Sequence, residues 1–374
     1  MNLTDQQRMI RDTIREFVER EVSDRVAEAD ANQEFPEAIW DGLAELGLTG
    51  LTVPERYGGD PVDSVTYSLI NEELARGHLS VATALSVHCL GTSCITEFGT
   101  ERHQERWLPE MATGRPVGAF ALSEPHAGSN PAEMSTEARR DGDEYVINGT
   151  KQWITNGERA GVVILFAKTD RDDPDTVTQF LVPKDTEGVS VGKKEDKLGL
   201  RASDTTTLIF EDARIPAENR LTEVGRGLKA AFSILTGGRV AIASQSVGLA
   251  QAALDDAVSY ANEREQFGKP IIDHQAVAHT LAEMQTQVQA ARLLTRDAAR
   301  QNESGVAPMA AAMAKYFASE VACDVASDAV QIHGGYGYTK DFDVERYYRD
   351  AKITTIYEGT SEIQKEIIAR HLRE

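Results

Sequence analysis

Glu358 ends an apolar stretch near the C-terminus and is flanked by Tyr357 and Gly359. A carboxylate withdrawn from water has its pKa raised, which suits a general base near neutral pH. Most glutamates are solvated surface side chains, so position alone does not assign the role. Three other segments invite a ligand. In Gly118–Pro125, Phe120 and Leu122 share a strand face, and Ser123 opens a Gly/Ser/Pro-rich turn with backbone N–H groups free for a ligand. In Asn148–Gly157, Trp153 and Thr155 project to one face, a platform for a flat heteroaromatic ring that needs hydrogen bonds. In Gln331–Tyr338, Gly334 and Gly335 permit close backbone approach to a pyrophosphate. Each has a plainer reading: a strand running into a loop, an indole capping a β-core, a tight helix-ending turn. Arg239, a cation inside an Ala/Ile/Val helix, needs a partner, either a neighbouring carboxylate or a substrate.

These segments lie in three zones of different periodicity. To about Met111 the pattern is helical, with Ile10, Ile14, Phe17 and Val18 on one stripe and a Gly/Pro break at VPERYGGDPVD. From Pro116 to about Arg226 short β-rich runs appear, EYVIN and KQWIT among them, with Asn148-Gly149 read as a hairpin turn. Helices then return to the end. Helices flanking a β-domain read as α+β. The expected boundaries are a helical domain at 1–115, a β-barrel or sandwich-like domain at 116–228, and a four-helix bundle at 229–374. No GxGxxG follows a strand and no Walker pattern occurs, so a nucleotide cofactor would not sit on a Rossmann or P-loop turn.

The 374 residues allow two or three domains, and an apolar fraction of 41% argues against general disorder. A net charge of −21 argues against nucleic acid and anionic membranes as partners. The start, MNLTDQQRMIRD, has no apolar signal core. Cys89, Cys94 and Cys323 form no CxxC pair, and the histidines form no HExxH, which predicts a cytoplasmic protein without a metal centre. The stretch Lys229 to Leu254 reads as a buried helix, not a membrane span. Arginines outnumber lysines 27 to 12. An acid-rich, lysine-poor chain is expected in a high-salt cytoplasm, where screening weakens self-repulsion.

Taken in order, ALSEP, NGTKQWITNG, REQFGKPIIDHQ, QIHGGYGYTKDFDVERYYRDA and IYEGTSEIQ resemble the acyl-CoA dehydrogenase family over essentially the whole chain. KKEDKLGLR and GRVAIASQSVGLAQAAL look most similar to its short-chain, butyryl-CoA type. The resemblance implies the family fold and FAD-dependent α,β-dehydrogenation of an acyl-CoA thioester to the trans-2-enoyl-CoA, as in fatty-acid β-oxidation. It makes Glu358 the base that takes the α-proton, while flavin N5 takes the β-hydride. It also makes the Glu358 backbone N–H a donor to the thioester carbonyl. Some relatives carry the base on a helix, one residue before the position of Arg239; here that place is Gly238, which cannot act.

By the same resemblance, Phe120, Leu122 and Ser123 line the flavin, Trp153 and Thr155 lie against its ring, and Thr360 sits beside the base. Arg264, Phe267 and Gln275 reach the FAD of a neighbouring subunit, as do Gln331 and Gly335 at its pyrophosphate and adenine end. Ser129, Thr236, Arg239 and Gly359 match acyl-CoA contacts, and Arg370 matches one at the nucleotide end more loosely. A homotetramer, a dimer of dimers, is implied, with an electron-transferring flavoprotein as electron acceptor. His126 and Asn130 stand where the family usually has Gly and Asp. Branched-chain or glutaryl-type substrates, and a non-catalytic acyl-CoA-binding protein on the same fold, are the competing readings. The acid excess predicts that activity and tetramer integrity rise toward molar KCl; inhibition of a steady-state assay by such salt would overturn that expectation.

Overall fold

The computed structural model describes residues 3–305 and 307–373. The chain opens with α1 (Asp5–Phe17), started by a capping box in which Thr4 accepts from the Gln7 amide and the Gln7 side chain accepts from the Thr4 amide. Its apolar stripe packs on α4, and Ile14 is buried. Next come α2 (Val26–Asn32) and α3 (Glu37–Glu45), then the Gly/Pro break. Beyond it run α4 (Ser64–Gly77), α5 (Leu79–Phe98) and α6 (Glu101–Ala112). Helix α5 is long and apolar enough to span a membrane, but 83% of its apolar window is buried inside the fold, against α7 and the sheet.

Among the described residues, seven strands form the middle sheet: β1 (Val117–Ala121), β2 (Glu137–Asp141), β3 (Glu144–Thr155), β4 (Ala160–Lys168), β5 (Val177–Pro183), β6 (Val189–Lys194) and β7 (Thr205–Pro216). Their order is β1-β4-β2-β3-β7-β6, with β5 also on β4. One face packs Ala119, Ile147, Leu165 and Phe210 into its own core, while Ile164, Phe166 and Leu181 face α5 and α6. A small hairpin, β8 (Glu265–Gln266) and β9 (Lys269–Pro270), follows the 37-residue α7 (Gly227–Glu263). Helices α8 (Gln275–Glu303) and α9 (Pro308–His333) lie against α7 and each other, and α10 (Val344–Thr354) and α11 (Ser361–His371) cover α9. The fold is α+β with helical ends, as expected. Helix α7 contains the low-charge stretch expected to be a buried helix.

One expectation fails. Asn148-Gly149 is not a hairpin turn: β3 runs straight through it, and the reversal lies at Gly142, with a second turn at Asn156-Gly157. Gly149 sits at a bulge with φ of 149°, where a Cβ would lie 2.5 Å from Thr136 Oγ1. Glycine is required there because another segment crosses the strand, not because the chain turns. EYVIN and KQWIT are therefore halves of one strand.

The bulged strand is tied to the loop after β1 by a buried ion pair. Lys151 Nζ donates to Glu124 Oε1 at 2.8 Å and to the Leu122 carbonyl at 3.1 Å. The remaining acceptor positions of Glu124 take the Ser135 amide and hydroxyl and the Thr136 amide. A buried pair with its hydrogen bonds satisfied tolerates burial, but removing one partner strands a charge. Lys151→Met is expected to cost about 3–5 kcal/mol, measured by denaturant unfolding; a loss under about 1 kcal/mol, the range of exposed ion pairs, would contradict this.

Candidate active site

Glu358 lies in the turn between α10 and α11. Glu358 and Gly359 both have positive φ, 55° and 90°. A non-glycine residue in this region is strained by about 1–3 kcal/mol unless its surroundings hold it. The surroundings do so through the carbonyls. Gln364 Nε2 donates to the Glu358 and Gly359 carbonyls at 3.1 and 2.8 Å. Lys315 Nζ, buried on α9, donates to the Gly359 carbonyl at 2.8 Å. The Thr360 hydroxyl accepts from the Ile363 amide and starts α11. The Glu358 amide donates no hydrogen bond to another described residue.

The Glu358 side chain is half-buried, and its Oε2 is shielded from water with no hydrogen-bond partner among the described residues. Burial pushes the carboxyl up to about 7, against the pull of Arg239 and Lys315. Burial also pushes the Lys315 ammonium down to about 8, opposed first by the charge of Glu358. Arg239 is buried on α7, and burial lowers its pKa while Glu358 raises it. No carboxylate lies within 4.0 Å of Arg239 among the described residues, and its Nε is unpartnered, so the helix–helix salt bridge does not form. Gly238 does more than lack a base: a Cβ there would stand 2.9 Å from Glu358 Oε2. Thr236, one turn earlier on α7, is buried and donates to the Phe232 carbonyl.

The strand residues also come together. The Gln152 amide donates to the Ser123 carbonyl at 2.9 Å, setting the end of β1 beside the bulge in β3. Phe120 and Leu122 are half-buried and pack against one core cluster, as their shared face implies. Trp153, with φ of 62°, is 60% exposed, and Thr155 is half-buried. The indole therefore does not cap the β-core. Ser129, His126 and Asn130 are exposed in the following loop, with His126 Nε2 3.7 Å from Glu124 Oε2.

A third group lies apart. Arg264 follows α7 and leads into the β8–β9 hairpin, whose tip residue Phe267 is 95% exposed. Arg264 stands roughly 38 Å along the helix from Arg239 at about 1.5 Å per residue. Gln275, Gln331 and Gly335 are likewise exposed. Arg264, Gly334, Gly335 and Tyr336 line an open cleft of about 490 Å³. Arg370 is exposed in the last turn of α11.

Sequence reasoning missed Lys315, Gln364 and the Glu124–Lys151 pair. Lys315 had a signal: it is a lone cation in an Ala-rich run, the argument that singled out Arg239. Gln364 had none, because its partners are carbonyls of a turn whose shape is tertiary.

Three family models cover most of the chain: acyl-CoA dehydrogenase N-terminal domain at residues 4–115, middle domain at 119–213 and C-terminal domain at 225–373. The mitochondrial short-chain specific acyl-CoA dehydrogenase of Bos taurus is 46% identical over 375 residues, covering 100% of this chain and 91% of that protein. Butyryl-CoA dehydrogenase from Megasphaera elsdenii superposes with a TM-score of 0.97 at 41% identity, covering 100% of both chains. A chain in a structure of the electron transferring flavoprotein of Acidaminococcus fermentans matches with a TM-score of 0.97 at 42% identity, over 100% of this chain and 99% of that one. Other solved relatives hold FAD or FADH2.

The site geometry predicts an infrared carboxyl band, absent in Glu358→Gln, that disappears as pH rises through about 7. In Lys315→Met the midpoint should move higher, because a cation that favours the carboxylate is gone. A midpoint in the ordinary range near 4.5 would contradict the burial.

Proposed function

The chain belongs to the acyl-CoA dehydrogenase family, and from that premise we propose that it desaturates a short-chain acyl-CoA thioester between Cα and Cβ, with Glu358 as base. The observation that carries the assignment is the Glu358 carboxyl, shielded, without a hydrogen-bond partner, and poised near neutral pH. A base with a free carboxylate oxygen can take a proton from carbon at once, without first breaking a hydrogen bond.

The residues present suit FAD. An exposed indole beside Ser123 and Thr155 would hold the ring, and Phe120 and Leu122 would close its apolar side. The cleft at Arg264 and Gly335 would take the pyrophosphate and adenine end, with Phe267, Gln275 and Gln331 around it. Bound FAD supplies the acceptor for the β-hydride. The two sets of residues are separated by much of the length of α7, so one set would serve the cofactor of a neighbouring subunit. That supports a homo-oligomer, with the tetramer as the proposed state.

In the proposed reaction Glu358 Oε2 takes the α-proton of the bound thioester. The Glu358 amide, which has no partner within the described residues, donates to the thioester carbonyl and stabilises the enolate charge that develops there. Lys315 and Gln364 hold that turn, so base and donor keep one geometry. Arg239 favours the carboxylate over the carboxylic acid, and with its Nε unpartnered it is a proposed contact of the acyl-CoA. Thr236, Gly359, Ser129, Arg370 and Thr360 remain proposed contacts. The short-chain reading is supported by 46% identity to a short-chain enzyme, against 35% to a glutaryl-CoA dehydrogenase. An electron-transferring flavoprotein is the proposed electron acceptor, supported by the likeness to the Acidaminococcus chain.

Glu358→Gln is expected to keep FAD and acyl-CoA binding while kcat falls by about 10²–10⁴ or more. Near-normal butyryl-CoA turnover in that variant would sink the assignment. For the wild type, kcat/KM should rise about tenfold per pH unit below about 7 and level off above it, since the base must be ionised in the free enzyme.

A further inference from the structure

Away from Glu358, four helices line a half-open cavity of about 520 Å³ with an unusual lining for a chain of net charge −21. Helix α1 contributes Arg8, Arg11 and Arg15, α4 contributes Arg76, and α8 contributes Arg292 and Arg296. Against these six guanidiniums the walls carry three carboxylates, Glu72, Glu73 and Asp255. Asp5 and Asp12 pair with Arg8 and Arg11 from exposed positions on α1 and do not line the cavity.

The wall carboxylates act as struts. Glu72 accepts from Arg292 Nε at 2.8 Å and from Arg296 at 2.9 Å. Glu73 takes a two-pronged bond from Arg15, at 3.0 and 2.7 Å. Asp255 takes Arg76 at 2.6 Å. Arg292 is further held by the side-chain carbonyls of Gln251 and Gln289, at 2.7 and 3.2 Å, whereas the struts on Arg15 and Arg76 fix only part of the guanidinium. Arg296 is only 8% exposed, and its Nε, closed off from solvent, has no partner among the described residues. A buried donor without an acceptor is costly, and native structures rarely leave one so. Because the guanidiniums come from three helices, α1, α4 and α8, and not from a loop, they are held in place without a ligand.

We propose that this cavity, formed where α1, α4, α7 and α8 meet, is a binding site for a phosphate-class oxyanion. Arginine forks suit such an anion because their planar, paired N–H donors match two oxygens at once, which lysine cannot do. The volume exceeds that of inorganic phosphate, so the anion is free pyrophosphate or the phosphate end of a larger ester. The site is separate from the acyl-CoA dehydrogenation and does not depend on it.

The test is calorimetric titration of the FAD-loaded protein with pyrophosphate and with inorganic phosphate, at ionic strength fixed with KCl. Saturable binding is expected, tighter for pyrophosphate. Arg296→Lys keeps a cation for Glu72 but loses Nε, and Arg11→Ala removes a partly exposed wall. Each should weaken pyrophosphate binding about tenfold or more, and Arg11→Ala should leave butyryl-CoA turnover unchanged. Equal binding by both variants, or a heat that KCl alone reproduces, would overturn the proposal. So would absence of pyrophosphate binding together with a lower assembly mass for Arg11→Glu, because the cavity would then be a contact between copies of this chain.

Discussion

The arrangement depends on one constraint: a carboxylate oxygen, Glu358 Oε2, is held out of water with no hydrogen bond among the described residues. Burial favours the protonated form of Glu358. Two buried cations pull against that, and the balance falls near 7. Each cation pays back the interaction differently. Lys315 is anchored to the Gly359 carbonyl, whereas Arg239 has no carboxylate within 4.0 Å among the described residues and its Nε is unpartnered. The helices α7 and α9 exist at this point largely to bring those cations to a turn built by α10 and α11.

The same turn explains why small residues and strained angles collect here. Glu358 and Gly359 both take positive φ, which aims the carboxylate at α7. Helix α7 makes room by having no Cβ at Gly238. A side chain there would meet the end of a flexible glutamate, so the fold would survive while the carboxylate moved. Backbone strain at the turn and missing volume on the helix are two halves of one placement.

On the sheet side, the Glu124–Lys151 pair does for the strands what Lys315 does for the turn. It joins the loop after β1 to the bulge in β3, so Ser123 and Trp153 are neighbours despite thirty positions of intervening chain. Aligned motifs in the sequence are thus ends of one buried contact. The exposed indole belongs to the sheet whose Phe120 and Leu122 pack near the start of α7, whereas the exposed Phe267 hairpin tip follows its end. That separation is the ground on which the proposed cofactor site is shared with a second copy.

Much was legible in the chain alone. Helical stripes, β-rich runs and the Gly/Pro break follow from local periodicity, so the three zones and the α+β class could be read directly. Glu358, Arg239 and Trp153 stood out because charge or indole in an apolar setting is chemically conspicuous. What tertiary structure decided is whatever depends on two distant segments meeting. Gly149 read as a turn, because Asn-Gly favours one locally; only the crossing of Thr136 shows that the strand continues. The missing salt bridge of Arg239, the Lys315 anchor and the void at Gly238 are equally non-local. Sequence sets which residues are able to do chemistry, because ionisation and backbone freedom are properties of a residue. Their pKa values and free valences are properties of neighbours, and neighbours are assigned only when the chain packs.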